Sequence, residues 1–83
     1  MNEVTAKALH QGAGMLLQKG RLAEAREAYE KALAQARAEE NRELAALCLL
    51  KLGDYAFTGL AGEADYPKAM ALYQEALDLG NAA

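Results

Sequence analysis

The sequence predicts an all-α fold of four helices paired as antiparallel hairpins, and three observations carry that expectation. First, Val4, Thr5 and Thr58 are the only β-branched residues among 83, and isoleucine is absent. Strands draw on β-branched and aromatic residues, whereas helices draw on Ala, Leu, Glu, Lys, Gln and Arg. Second, alanine supplies 20 residues and leucine 14, a composition suited to helices that pack closely. Third, apolar residues recur at three- and four-residue spacing in four separate stretches, the period of a helix with one buried face. At this length the chain is a single domain, residues 1–83, with a modest core.

The first helix is expected from about Glu3 to Lys19, with Leu9, Gly12, Ala13 and Leu16 on one face. Gly20 supplies its stop, because glycine accepts the left-handed conformation there. The second starts near Leu22, and its stripe is Leu22, Ala25, Tyr29, Ala32, Leu33 and Ala36. Glu27 and Lys31 on its wet side are an i,i+4 pair in the favourable order. No Gly or Pro occurs from Arg21 to Leu52, so one long rod is an alternative to two helices. A break near Glu39 to Arg42 is preferred: that string has no apolar member, and Asn41 can cap a new helix. The third helix carries Leu44, Leu47, Cys48, Lys51, Leu52 and Tyr55 and fades at Gly59-Leu60-Ala61-Gly62. Asp65 is the N-cap of the fourth, Pro67 lies in its first turn, and Ala69, Leu72, Tyr73, Ala76 and Leu77 form its stripe. Gly80-Asn81 is expected to end it.

Charge and residue inventory narrow the function. The net charge is −3, and no basic block exists to neutralise phosphates, so neither nucleic acid nor an anionic membrane is an expected partner. The N-terminus lacks a basic region followed by an apolar run, and Cys48 is the sole cysteine; a cytoplasmic location is the expectation. Serine is absent. Cys48, inside Leu47-Cys48-Leu49-Leu50, reads as a small core hydrophobe and not as a nucleophile served by His10. One His and one Cys cannot assemble a structural zinc site, and Gly12-Ala13-Gly14 lacks the strand that precedes a phosphate loop. No enzyme activity, cofactor or metal is expected.

The second and fourth stripes match. Ala25, Tyr29, Ala32 and Leu33 pair with Ala69, Tyr73, Ala76 and Leu77, each 44 residues on. Such a period marks a stacked-repeat architecture. Gly20, Leu22, Ala25, Tyr29, Ala32 and Leu33 resemble the second helix of a tetratricopeptide repeat. Leu52-Gly53, Tyr55, Gly59, Gly62, Asp65, Lys68-Ala69, Tyr73, Ala76, Gly80-Asn81 and Ala82 look closer to the related Sel-like repeat. The first unit covers about 3–38 and the second about 42–80. Leu9, Leu16 and Arg37 stand where the tetratricopeptide pattern favours Trp, Tyr and Pro. The resemblance implies a short right-handed superhelix that binds a protein or peptide as an adaptor or scaffold.

Carried over by position, the concave groove would be lined by Lys7, His10, Gln11, Gly14, Leu17 and Gln18, and by Leu50, Lys51, Asp54, Phe57 and Thr58. Helical spacing puts 7, 10, 14 and 17 on a face distinct from 9, 13 and 16. His10 and Gly14 occupy positions where one subclass grips a C-terminal carboxylate, so no such clamp is expected. The alternative is an assembly protein. Arg26 of the second helix becomes Met70 in the fourth and Ala28 becomes Leu72. Met70, Tyr73, Leu77 and Leu79 would then leave an apolar end, which a symmetric homodimer covers most simply.

Overall fold

Residues 4–81 are described by a computed structural model in which four helices follow one another in order: α1 (Ala6–Gln18), α2 (Leu22–Ala38), α3 (Arg42–Thr58) and α4 (Tyr66–Asn81). No strand occurs among the described residues. Each boundary has a local cause. The Thr5 hydroxyl accepts from the Ala8 amide at 3.1 Å, so α1 opens at Ala6; the expected start at Glu3 lies outside the described residues. Gly20, at φ 78°, closes α1, with its amide donating to Leu17 and that of Arg21 to Leu16.

The break between α2 and α3 falls within Glu39 to Arg42, and the long rod does not form. It repeats the same closing turn, with Glu40 at φ 57° in the glycine position. The Glu40 amide donates to Arg37 and the Asn41 amide to Ala36. Asn41 Oδ1 then accepts from the Leu44 amide at 3.1 Å and opens α3. Gly59, at φ 71°, ends α3, where a side chain would press on the Ala64 and Gly62 backbone. Asp65 Oδ1 accepts from the Lys68 amide and opens α4. Gly80-Asn81 does not end that helix, which continues through both. Gly80 does not adopt a positive φ, and a glycine stops a helix only by doing so.

Packing is sequential. α1 lies on α2, α2 on α3 and α3 on α4, while α1 touches α3 more lightly. α3 is therefore flanked on both sides, which is why it is apolar around most of its circumference. The core is built from Tyr29, Cys48 and Leu49, fully buried, and a set of buried alanines that includes Ala13, Ala25, Ala32, Ala69 and Ala76. Small side chains let the helix axes approach closely, and the Tyr29 ring fills the space between turns. Tyr55 donates its hydroxyl to the Leu22 carbonyl at 2.9 Å, and Arg26 donates to Ala61 in the α3–α4 loop at 3.1 Å. The Glu27–Lys31 pair does not close; Arg21–Glu24 and the cross-helix Arg37–Glu75 pair do.

Candidate functional site

The first helices of the two hairpins, α1 and α3, carry the eleven residues assigned to a groove. Lys7, Gln11 and Gln18 of α1 are exposed, as are Leu50, Lys51, Asp54, Phe57 and Thr58 of α3. Leu50 and Phe57 are 43% and 51% accessible. The α3 residues share a face because steps of three and four return to one side of a helix. Leu47, 44% accessible, belongs to the same face. Its spacing from Leu50, Lys51 and Asp54 carried that signal, but its place in an apolar run grouped it with the core.

The other α1 positions turn inward. His10 packs edge-to-face on Tyr29, ring centroids 5.6 Å apart. Its Nε2 is buried without a hydrogen-bond partner. Burial holds the imidazole below its ordinary value of 6.5, and the Lys51 ammonium lowers it further. His10 of α1 and Lys51 of α3 are thus brought within electrostatic reach, although His10 presents little polar surface to a ligand. Gly14 leaves room for the Tyr29 hydroxyl, which a Cβ would meet at 3.9 Å. Leu17 is half-buried against the core.

Asp54 and Thr58 are partly engaged by the protein itself. Asp54 accepts the Tyr73 hydroxyl, which pushes that phenol up to about 12. The Thr58 hydroxyl donates to the Asp54 carbonyl at 2.7 Å within its own helix. Lys51 is therefore the freely presented charge in the middle of the α3 face, flanked by Leu47, Leu50 and Phe57.

The four residues assigned to self-association separate into two pairs. Met70 and Leu77 point outward, 63% and 57% accessible. Tyr73 lies over Gly53 of α3. Leu79 faces a cavity of about 480 Å³ between α2 and α4, together with Ala36, Arg37 and Glu75. A second cavity, about 370 Å³, opens at the other end of that seam among Arg26, Leu33, Tyr55, Lys68 and Leu72. Neither is lined by any residue of the expected groove. Sequence spacing did not reveal them, since they exist only because α3 separates α2 from α4.

Burial pushes the Cys48 thiol up to about 11, which leaves no thiolate at neutral pH. Among the described residues no group of three or more His, Cys, Asp or Glu could hold a metal, and no helix is long and apolar enough to cross a membrane.

No curated protein and no solved structure matches the chain. The family model of the tetratricopeptide repeat matches residues 4–82, nearly the whole length. Four sequentially packed helices, with alanines and a tyrosine at the helix crossings, agree with that match. The chain belongs to the tetratricopeptide repeat family.

Proposed function

We propose that this chain is a cytoplasmic adaptor that holds a short amphipathic segment of a partner protein along the α1–α3 face. The observation that carries the reading is the exposure of Leu50 and Phe57 beside Lys51 on one side of α3. Large apolar side chains interspersed with charge suit a segment with one apolar and one polar edge. Tetratricopeptide repeats serve protein–protein interaction, and a net charge of −3 argues against nucleic acid as partner. The α3–α4 loop, with Gly59 required at its start, fits the Sel-like variant of the repeat. A peptide selected from a displayed amphipathic library should lose about tenfold in affinity, ~1.4 kcal/mol, on Lys51→Glu or Phe57→Ala. Helical circular dichroism should be unchanged, since both side chains are exposed. Binding that survives both substitutions would place the partner on another surface.

A second reading is assembly of copies of the chain. It is favoured by Met70 and Leu77, which stand exposed on α4 although their counterparts on α2 are Arg26 and a buried Leu33.

A further inference from the structure

The chain contains its own measure of how such a face is covered. Tyr29 and Tyr73 are equivalent, 44 residues apart, and each rests on the first helix of its pair. Tyr29 meets His10, with its hydroxyl toward Gly14; Tyr73 meets Gly53, with its hydroxyl on Asp54. Their other sides differ. Tyr29 lies beneath Tyr55 of α3, ring centroids 6.4 Å apart, and is 1% accessible, with Leu33 one turn on at 9%. Among the described residues the α4 backbone packs only against α3. Leu77, the counterpart of Leu33, is left in the open. Phe57 meets Tyr66 edge-on at 5.5 Å and joins the exposed apolar side chains of α3 to those of α4. Leu50, Phe57, Tyr66, Met70 and Leu77 thereby make one apolar face of a few hundred Å² on two helices, the size that marks an interaction site.

The pattern along α4 selects the occupant. Tyr66, Met70, Tyr73 and Leu77 follow steps of four, three and four, the spacing of a helix–helix seam. Gly80 continues the series, and a Cβ there would meet nothing within 4 Å. No member of the stripe is charged. A two-fold axis sets a surface against its own copy, so a charge near the axis would meet its like; this stripe avoids that penalty. We propose that a second copy of the chain covers the face, the two α4 helices lying antiparallel, each in the notch between the partner's α3 and α4. The proposal rests on the assembly reading and specifies its surface.

Sedimentation of the full chain from micromolar to millimolar concentration should show a species of twice 8.9 kDa. Gln74, exposed and midway between Met70 and Leu77, lies where the axis falls. Oxidised Gln74→Cys should therefore form a covalent dimer, while the buried native thiol of Cys48 does not contribute. Met70→Glu with Leu77→Glu should abolish both species and keep the helical circular dichroism, because the two side chains support nothing inside the monomer. A dimer that survives the double substitution would overturn this face and leave assembly through another surface. A monomer at every concentration would overturn the proposal and the assembly reading together, and would assign the face to a different protein.

Discussion

A Cβ at Gly53 would sit 2.7 Å from the Tyr73 ring, closer than real contacts permit. The ring is fixed from its other end by the bond to Asp54, so it cannot simply swing away. Gly53→Ala should therefore destabilise by roughly 1–3 kcal/mol through overpacking, despite a gain in helix propensity of up to about 1 kcal/mol. Gly12 is the control. A Cβ there meets nothing within 4 Å, and Gly12→Ala should stabilise by about 0.5–1 kcal/mol. Urea unfolding of both variants decides; equal shifts would mean that the Gly53–Tyr73 contact carries no weight. Nothing local separates these two glycines, since both lie inside helices next to apolar residues. Only the ring arriving from α4 makes one of them necessary.

At the scale of elements, the α2–α3 turn does more than interrupt a rod. Glu39 Oε2 accepts from the Ala6 amide at 3.0 Å and from Gln35 Nε2 at 3.0 Å. A carboxylate thereby satisfies an open donor in the first turn of α1 from 33 residues away, where the helix dipole favours it. Glu39→Ala should cost about 1 kcal/mol. Its neighbour Glu40 holds a left-handed conformation that L side chains resist, so Glu40→Gly should add about 1 kcal/mol. Thermal unfolding of the pair should move in opposite directions; a shared direction would remove either the cap or the backbone strain. The break itself was legible, because Glu39-Glu40-Asn41-Arg42 offers no apolar residue and Asn41 is a good cap. The capping of α1 by Glu39 was not, because its partner lies in another helix. The expected stop at Gly80-Asn81 failed for a related reason: a glycine permits a left-handed turn without requiring one.

For the whole molecule, the shifted groups define a stability plateau. Tyr29 and Tyr55 are raised above 10.0, chiefly by burial, and Tyr73 reaches about 12 through Asp54. Cys48 rises from 9.0 to about 11 through burial. A raised folded value contributes stability that is whole below the unfolded value and is lost as pH climbs through the folded one. Stability should thus begin to fall above pH 9.0 and fall further through about 12. His10 works at the other end. Its folded value is depressed below 6.5, so below that pH the unfolded chain takes up a proton that the folded chain resists, and stability falls. Thermal unfolding across pH should show both limbs. His10→Leu should flatten the acid limb and Tyr73→Phe should shallow the alkaline one; an acid limb unchanged by His10→Leu would remove His10 as its cause.

By itself the sequence determined the helices, their order and the repeat. These depend on local terms: apolar residues at helical spacing, alanine at crossings, and caps at Thr5, Asn41 and Asp65. The side chains that a ligand would meet were only partly legible, because a residue on the expected face faces outward only if no neighbour claims it. Tyr29 claims the surface of His10 and Gly14, and Tyr73 claims Gly53 and Asp54. The tertiary structure alone decided that Leu79 faces a cavity, that Leu47 is open to solvent, and that Phe57 and Tyr66 join two helices into one exposed apolar face. Helical period fixes the angle of a side chain around its own axis, whereas its exposure depends on which other axis lies alongside, and that is set by packing between residues distant in the chain.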